Sequence, residues 1–416
     1  MWTRESWILL YLGVISFLIG LYIGDFQFGL FGLVIFIFIS LTLLLSRPEV
    51  ECEREVSSTN IFEKNKINVS VLTKRKEKGS GIIELFDPIS DYSLLTEGSN
   101  KMIYNISGTE KLNYQLEFPL RGFYSVGPAR VRARDYFLLF YDEKEVGERD
   151  QLTVFPYVGS LKKVKIKANK YKHYPGDFLT PQPGASTEFY SIRDYQKGDP
   201  FKKINWKVSV KKRQLMVNEY EKENICDVFI ILDSRSVNAI GTPEENALEF
   251  NIKVALNISE YLINNRNQIG IAVYSDKVDV LQPGSGRNHF IKILRLLTGA
   301  YPRGFLPLDI TMHYTKSFIK SKTAILLFTN LEYDHSLLQT VKELYGYDYR
   351  IIIITPSSIE YENRLLKDQY IPKLGLLRIE RENYIEKLRS SGATVLECKP
   401  EDDIETVVNN LGLMLS

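Results

Sequence analysis

The stretch from Ser191 to Ser209, "SIRDYQKGDPFKKINWKVS", combines acidic, basic, glycine and aromatic residues at short spacing. Asp194 or Asp199 could act as a general acid or base in a hydrolysis reaction. Such a reaction also needs a nucleophile with a partner base, and the stretch contains no histidine. The chain's four histidines lie outside it and not in a triad-like setting: His173, His289, His313 and His335. A catalytic role is therefore the weaker interpretation.

The same stretch also suits a structural role. Gly198 and Asp199 are typical of a turn. Arg193 can hold a carboxylate through two parallel hydrogen bonds, and Trp206 can supply a large apolar anchor. We predict a rigid joint against the sheet domain that follows, formed by Arg193, Tyr195, Gly198, Asp199, Asn205 and Trp206.

The composition limits the possible functions. A chain of 416 residues is long enough for two or three domains. Its 53 basic residues nearly balance its 51 acidic ones, which does not favour nucleic acid as a partner. Cys52, Cys226 and Cys398 lack the spacing of a disulfide framework or a zinc site, and they fit a reducing compartment.

Two long apolar runs stand near the amino terminus, Trp7 to Ile23 and Phe26 to Leu45. Each is long enough to cross the hydrocarbon core of a bilayer, and only Gly24 and Asp25 separate them. A cleaved signal peptide is disfavoured, because no small-residue cleavage site precedes Asp25 and a second apolar run follows. Residues 1–47 are therefore predicted to form a transmembrane helical hairpin.

The basic residues near the hairpin predict its orientation. Arg4 precedes the first run, Arg47 and Arg54 follow the second, and the joint between the runs has no basic residue. Because basic residues favour the cytoplasmic side, both ends of the hairpin should face the cytoplasm. The chain is thus expected to be a multi-pass protein of the cell membrane, in contact with lipid through its two spans, with its soluble domains in the cytoplasm.

Two soluble domains should follow. Residues 48–158 show short alternating runs between turn signals, as in Asn65 to Lys74, which is typical of a β-sandwich. Residues 159–224 are interpreted as a linker that ends in the motif segment. Residues 225–416 alternate continuous apolar runs with helical patterns, the longest from Pro243 to Asn267, and this predicts a doubly wound α/β domain.

The motif "RDYQKGD…INW", followed by "LMVNEYEKE" and "VFIILDSRS", resembles the domain of unknown function 58 family. The upstream "RGFYSVGPARVRARDYF" is similar to that family's Arg-Gly-x-Tyr segment at the end of its sandwich, and the two spans match as well. The resemblance implies a membrane-anchored protein with a von Willebrand factor A-like domain. Such proteins often occur beside MoxR-type AAA+ ATPases, so the resemblance also implies such an ATPase as a partner.

The resemblance directs attention to a metal site. In a von Willebrand factor A domain, the first strand ends in Asp-x-Ser-x-Ser, and a threonine and an aspartate from later loops complete the divalent-metal site. Hydroxyl and carboxylate oxygens are suitable ligands for Mg²⁺. Here Asp233 is kept, but Arg235 and Val237 stand at the two serine positions.

The later ligand positions also depart from the family pattern. The loop "RGFLPLD" from Arg303 to Asp309 has no threonine, and Asn330 stands at the later aspartate position. We therefore expect a degenerate crevice without a metal or other cofactor, in which Arg235 fills the space or pairs with an acidic side chain. The crevice comprises Asp233, Ser234, Arg235, Ser236 and Asn330.

The sequence leaves three candidate functions. The first is a non-enzymatic adaptor or scaffold that docks protein partners through its von Willebrand factor A-like domain, among them a MoxR-type ATPase. The second is a protein-binding receptor that depends on a divalent metal at a rebuilt site. The third is a hydrolase that uses Asp199.

Overall fold

The computed structural model describes residues 1–45, 48–76, 79, 81–105, 108–157, 189–220, 228–319, 323–331, 334–366 and 371–415. It divides into two compact units. The first contains Met1–Val158, Gly241–Glu249 and Leu294–Tyr301, and the second contains Gly159–Ile240, Phe250–Ile293 and Pro302–Ser416. Most of the predicted linker, Cys226 and the boundaries predicted at 47/48, 158/159 and 224/225 lie outside the described residues, so these boundaries stay predictions.

The first unit begins with the predicted pair of helices, α1 (Arg4–Ile23) and α2 (Phe26–Leu44). Both helices are long and apolar enough to cross a membrane. Thr3 caps the start of α1, and the Asp25 carboxylate caps α2 by accepting a hydrogen bond from the Gln27 amide at 2.9 Å. These caps satisfy amides that a helix start leaves without intrahelical partners, and they fix the tight joint between the helices.

Except for Ile35 and Ile39, the two helices bury small or polar residues, and they expose most of their large apolar ones. A Cβ atom added to Gly20 would lie only 2.4 Å from the backbone nitrogen of Gly29, so the helix backbones approach closely there. Leu21 and Phe31 are among the exposed apolar side chains. This distribution is typical of helices packed together in lipid. The buried residues of the pair are Ser6, Gly13, Ser16, Gly20, Gly32, Ile35, Ile39 and Thr42.

Strands make up the rest of the amino-terminal region, as the alternating pattern predicts. The strands are β1 (Val50–Val56), β2 (Asn60–Phe62), β3 (Lys66–Arg75), β4 (Ile82–Phe86), β5 (Leu94–Gly98), β6 (Lys101–Asn105), β7 (Thr109–Glu117), β8 (Gly122–Val126), β9 (Ala129–Arg134), β10 (Tyr141–Val146) and β11 (Asp150–Phe155). They form sheets of order β1-β3-β7-β5, β10-β9-β4-β6 and β2-β11-β8. Along β3, Ile67, Val69 and Val71 point into the core while their neighbours do not.

Arg54, one of the charges that predict the orientation of the hairpin, lies inside this sandwich. Its guanidinium donates to both carboxylate oxygens of Asp87, at 2.9 and 2.6 Å, and to Asp150 at 3.1 Å. Tyr114 donates its hydroxyl to the same Asp87 carboxylate. Arg54 therefore does not face lipid headgroups in the folded chain, which leaves Arg4 as an exposed basic residue beside the helices.

Arg121 occupies a second buried polar position in the first unit. It follows β7 and is 3% exposed. Its Nε and Nη2 atoms donate to the two oxygens of Glu249, at 3.0 and 2.8 Å, and its Nη1 atom donates to the carbonyls of Leu297 and Thr298. The Arg-Gly-x-Tyr segment of the resemblance thus supplies a buried ion pair.

The second unit opens with the motif segment, in which β12 (Phe189–Asp194) pairs antiparallel with β13 (Met216–Tyr220) and α3 (Trp206–Lys212) lies between them in the chain. An α/β region follows. Its remaining strands are β14 (Val228–Asp233), β15 (Ile269–Tyr274), β16 (Val278–Gly284), β17 (Ala324–Phe328), β18 (Arg350–Pro356) and β19 (Thr394–Cys398). The helices are α4 (Ala247–Asn264), α5 (Arg287–Thr298), α6 (Leu308–Thr315), α7 (Leu337–Gly346), α8 (Ser358–Leu366), α9 (Ile371–Ser390) and α10 (Ile404–Leu415). The start of α4, up to Glu249, and the end of α5, from Leu294, belong to the first unit.

The strands of the α/β region form one sheet of order β16-β15-β14-β17-β18-β19. All neighbouring pairs are parallel except β15 with β16. Every residue of β14, β15 and β17 is buried, as expected for strands covered by helices on both faces. The doubly wound fold predicted from the apolar runs is confirmed, and the first and fourth strands of the region, β14 and β17, are neighbours.

The helices differ from the predicted pattern in two respects. The helix predicted from Pro243 begins at Ala247, because the Asn246 side chain accepts from the Glu249 amide at 2.9 Å and caps it there. The helices α3, α6, α8 and α9 were not predicted. The α9 sequence places a proline and a glycine near its start and charges on all sides, which hides its periodicity.

Candidate functional site

The predicted crevice residues meet at the carboxyl ends of β14 and β17. Asp233 is the last residue of β14, and Thr329 and Asn330 directly follow β17. Thr329 donates its hydroxyl to the Asp233 carboxylate at 2.8 Å, and Asn330 donates its side-chain amide to the carbonyl of Val237 at 2.7 Å. Asp233, Ser234 and Asn330 are fully buried, and Ser236 is half-buried. The sheet topology therefore brings these residues together as predicted.

Arg235 fills the crevice with its own side chain. Its Nε and Nη2 atoms donate to the two oxygens of Asp233, at 2.9 and 2.7 Å, and its backbone amide donates to the same carboxylate at 3.1 Å. Arg235 is only 2% exposed. The predicted pairing of Arg235 with an acidic side chain is confirmed, in the two-pronged geometry that a guanidinium and a carboxylate favour.

A second carboxylate, which the sequence did not indicate, also pairs with Arg235. Asp334 lies 3.3 Å from Nη1 of Arg235 and is 7% exposed. It also accepts hydrogen bonds from the amides of Leu308 and Ser336 and from the Ser336 hydroxyl. Asp334 stands four residues after Asn330 in "NLEYD", and this acidic loop residue is the signal that could have identified it.

The aromatic ring of Tyr274 forms another wall of the crevice. The Arg235 guanidinium carbon lies 5.4 Å from the ring centroid, close enough for a cation–π contact. Burial and the neighbouring Asp233 carboxylate raise the pKa of Tyr274 well above its ordinary value. Burial alone would lower the pKa of Arg235, but the hydrogen bonds and charge of Asp233 outweigh it and leave that pKa raised. The phenol therefore stays neutral and the guanidinium stays charged.

These residues do not fit a divalent metal ion. Both oxygens of Asp233 already accept hydrogen bonds from Arg235, and one of them also accepts from Thr329. The Arg235 cation occupies the space beside them, and a second positive charge there would be repelled. Among the described residues, no group of three or more His, Cys, Asp or Glu side chains could hold a metal ion.

The loop from Arg303 to Leu308 forms a firm rim beside the crevice. The Arg303 amide donates to the Ser234 carbonyl at 3.0 Å, and the Gly304 carbonyl accepts from the Ser236 amide at 3.1 Å. Gly304 has a φ of 67°, and a Cβ atom there would lie 2.4 Å from a backbone nitrogen, so the turn requires glycine. The next residue, Phe305, is 72% exposed, which leaves an aromatic side chain displayed at the rim.

Arg381 of α9 is a further residue that the sequence did not indicate. Its Nη1 atom donates to the carbonyl of Asn330 at 2.8 Å, and its Nη2 atom donates to the Thr355 hydroxyl and the Pro356 carbonyl. It thus ties together the chain that follows β17 and the end of β18. Because α9 was not predicted, no sequence signal placed Arg381 at the sheet edge.

The motif segment contains the predicted arginine clamp. Nη1 and Nη2 of Arg193 donate to the two oxygens of Asp199 at 2.7 and 2.8 Å, and the Gln196 amide donates to the same carboxylate at 2.8 Å. The turn lies at residues 197–198, where Gly198 has a φ of 116°. The hydrogen bonds from Arg193 and Gln196 lower the pKa of Asp199 to about 2. Asp199 is therefore ionised at neutral pH and is a weak base.

Asn205 and Tyr195 hold the rest of the segment together. Asn205 caps α3 by accepting from the Val208 amide at 3.1 Å, and its side-chain nitrogen donates to Asn218 at 2.8 Å. The Tyr195 amide donates to the Leu215 carbonyl at 2.9 Å. These bonds join the turn, the helix and β13 into one local structure.

The predicted burial of Trp206 is wrong. The side chain is 62% exposed, and Val210, one helical turn later, is 77% exposed. The short helix α3 instead turns Ser209 toward β13, where the hydroxyl accepts from the Met216 amide at 2.9 Å. Phe201 is also 72% exposed. The Arg193–Asp199 clamp is present, but Trp206 is too exposed to be the anchor of a joint.

Trp206→Ala is therefore expected to change the free energy of unfolding by less than about 1 kcal/mol, as exposed substitutions generally do. Ile204→Ala is a matched control two residues away, because Ile204 is 6% exposed; it should cost at least about 2 kcal/mol. Denaturant unfolding of the two variants measures the difference. If Trp206→Ala lowered the free energy of unfolding by about 3 kcal/mol or more, Trp206 would be an anchor of the joint after all.

Comparisons with known proteins agree with the predicted resemblance. The family described as "Protein of unknown function DUF58" matches residues 191–342. The uncharacterised protein YeaD of Bacillus subtilis (strain 168) is 23% identical over 313 residues, which cover 72% of this chain and 76% of YeaD.

Solved structures show only distant likeness. The von Willebrand factor domain of the type V pili tip protein Mfa5 from Porphyromonas gingivalis is similar with a TM-score of 0.30 and 7% identity, covering 46% of this chain and 96% of that domain. Proximal thread matrix protein 1 from the mussel byssus has a TM-score of 0.26 and 12% identity. That match covers 32% of this chain and 37% of the mussel protein.

Proposed function

We propose that this chain, whose residues 191–342 match the domain of unknown function 58 family, is a membrane-anchored, non-enzymatic adaptor. Its α/β region docks a protein partner, and that partner is a MoxR-type AAA+ ATPase. The observation that carries the proposal is the crevice itself. In a von Willebrand factor A domain, the corresponding crevice would hold a divalent metal. In this chain, the Arg235 side chain lies between the carboxylates of Asp233 and Asp334 instead.

The helical hairpin supports the membrane anchor. Helices of 20 and 19 residues are about 30 and 28 Å long, which matches the hydrocarbon core of about 30 Å. Their large apolar side chains point outward, and water would disfavour that arrangement. Arg4 at the start of α1 supports a cytoplasmic location of both hairpin ends and of the domains that follow.

The crevice and its rim support partner docking without a metal. The internal ion pair fixes the loop after β14, and the hydrogen bonds of Arg303 and Gly304 attach the rim to it. Phe305 therefore projects from a rigid support. An exposed aromatic side chain on a rigid support loses little conformational freedom when it binds, which is typical of residues that dominate protein interfaces.

The two candidate carboxylates support a non-enzymatic role. Asp233 is held by Arg235 and Thr329, and Asp199 is held by Arg193 and the Gln196 amide. A general base needs a free oxygen and a pKa near the working pH, whereas the pKa of Asp199 is about 2. Both carboxylates therefore serve to hold loops in place.

A binding measurement tests the proposal. The detergent-solubilised full-length chain is immobilised, and the MoxR-type ATPase of the same organism is passed over it. We expect binding that EDTA does not change. Phe305→Ser should weaken it at least tenfold, as removal of a central interface aromatic commonly does. Tyr345→Ser is the matched control, because Tyr345 is 60% exposed and lies near the end of α7, shortly before the amino end of β18.

Three outcomes would contradict the proposal. Binding that EDTA abolishes and Mg²⁺ restores, and that Asp233→Ala also removes, would establish the metal-dependent receptor instead. Equal binding by the wild-type chain and Phe305→Ser would show that the rim is not the docking surface. Failure of the ATPase to bind the wild-type chain would exclude it as the partner.

A further inference from the structure

A second surface with exposed apolar residues lies in the first unit, on the loop between β9 and β10. We call residues 135–140 the aromatic loop. Its three central residues, Tyr136, Phe137 and Leu138, are 54%, 53% and 41% exposed. Three consecutive large apolar side chains at a loop tip are costly in water, so their exposure calls for a partner.

Most amides of the aromatic loop have hydrogen-bond partners within the loop itself. The Asp135 carboxylate accepts from the amides of Phe137 at 2.7 Å, Leu139 at 3.4 Å and Phe140 at 2.6 Å. The Leu138 amide donates to the Asp135 carbonyl, and the Asp135 amide donates to the Phe140 carbonyl. Five of the six amides thus have partners inside the loop. This matters in hydrocarbon, where an unpaired amide is far more costly than in water.

The aromatic loop lies alongside the helices. Leu139 and Phe140 form a buried cluster with Ile35 and Ile39 of α2. The ring of Phe137 meets the ring of Phe38 edge-on, with centroids 5.0 Å apart. The loop is therefore packed against the side of a helix whose length and composition suit a bilayer.

The start of α1 is attached to the same loop. The amide and the hydroxyl of Thr3 both donate to the carbonyl of Leu139, at 3.1 and 3.0 Å. Trp2 and Trp7 stand nearby with ring centroids 5.2 Å apart, and both are partly exposed. Tryptophan is enriched at membrane interfaces, which locates this end of the hairpin near the headgroups.

The position of Phe38 along α2 sets the depth of the loop. Phe38 precedes the last residue of α2, Leu44, by six residues, which is about 9 Å along the helix axis. The whole helix of 19 residues is about 28 Å long, and the hydrocarbon core is about 30 Å thick. The full length of α2 is therefore needed to span that core. Phe38 therefore lies within the hydrocarbon region, and Phe137 is beside it.

From this geometry we infer that the aromatic loop inserts Tyr136, Phe137 and Leu138 among the lipid acyl chains beside the hairpin. The occupant of the apolar surface is the bilayer itself, not a protein. The inference rests on the membrane-spanning hairpin of the proposed function. The sandwich is then held against the membrane at two places in the chain, by the hairpin and by a loop about 90 residues after it.

Fluorescent labels at three positions test the inference in vesicles of phosphatidylcholine and phosphatidylglycerol with brominated acyl chains. The full-length chain carries one new cysteine at a time, Leu138→Cys in the loop, Leu33→Cys on the exposed side of α2, or Tyr92→Cys as control. Cys226 is replaced by alanine. Burial raises the pKa of Cys52 to about 11 and of Cys398 to about 12, so both react slowly at pH 7.

Tyr92 is a matched control for Leu138. Both residues are exposed and have a positive φ, 62° and 60°. In the pairing of β4 with β9, Phe86 is opposite Arg130 and Ile82 is opposite Arg134. The loop after β4, which carries Tyr92, therefore lies at the end of the sheet away from the aromatic loop. The Cys226→Ala chain without a new cysteine measures how much label attaches elsewhere.

We expect brominated lipid to quench the labels at positions 33 and 138 at least twofold, and the label at position 92 not at all. Quenching at 33 without quenching at 138 would overturn the loop inference and leave the hairpin intact. A label at 138 shielded from both lipid and aqueous iodide would show that protein covers the loop, which also overturns it. Absence of quenching at position 33 would overturn the membrane hairpin, and the loop inference with it.

Discussion

Asp233→Ala is expected to lower the free energy of unfolding by about 3–5 kcal/mol, the usual cost of removing one partner of a buried ion pair. Arg235 would remain buried with only Asp334 as a carboxylate partner, at 3.3 Å, and would lose both prongs of its hydrogen bonding to Asp233. Thr329 would lose an acceptor as well. Hydrogen exchange of the β14 amides together with denaturant unfolding measures the loss in the full-length chain.

Two further variants sharpen this experiment. Asp279→Ala removes a half-buried aspartate of the same sheet whose partner Lys277 is exposed, so it should cost less than about 1 kcal/mol. Adding Arg235→Met to Asp233→Ala removes the stranded guanidinium and should recover part of the loss, because Asp334 keeps its hydrogen bonds from the Leu308 and Ser336 amides and from the Ser336 hydroxyl. A loss below about 1 kcal/mol in Asp233→Ala would mean that the guanidinium is adequately solvated without its partner.

The sequence predicted this ion pair only in part. Asp233 and Arg235 are neighbours in the chain, and the cost of an isolated buried guanidinium already requires an acidic partner. Asp334 and Thr329 stand about 100 residues further on. They reach Arg235 only because β17 is placed beside β14, and periodicity does not reveal which loop side chains of adjacent strands will point inward.

The same distinction applies to the fold. Helix length and continuous apolar runs predicted the hairpin and the parallel sheet, because both signals are local. The orientation of a short helix, in contrast, cannot be predicted from a local sequence signal. Trp206 was predicted to be buried because it is large and apolar, yet which face of α3 meets β13 depends on the hydrogen bond of Ser209. Packing partners, rather than hydrophobicity, decided that position.

Arg121 belongs to a stretch that the sequence marked only through its family resemblance. In the structure of the first unit, its guanidinium pairs with Glu249 in the first turn of α4. It also donates to the carbonyls of Leu297 and Thr298 at the end of α5. A helix carries a partial positive charge at its start and a partial negative charge at its end. Glu249 and Arg121 are thus placed where these partial charges favour them.

Arg121→Ala should therefore lower the free energy of unfolding by about 3–5 kcal/mol, because the buried Glu249 carboxylate would lose its cation and the carbonyls at the end of α5 would lose a donor. The control is Arg130→Ala, since Arg130 and its partner Glu145 are both more than half exposed and should contribute less than about 1 kcal/mol. Adding Glu249→Gln to Arg121→Ala removes the stranded charge and should restore part of the loss. If Arg121→Ala costs no more than Arg130→Ala, the buried pair does not stabilise the first unit. If Glu249→Gln gives no recovery, the loss arises from the helix-end carbonyls rather than from the carboxylate.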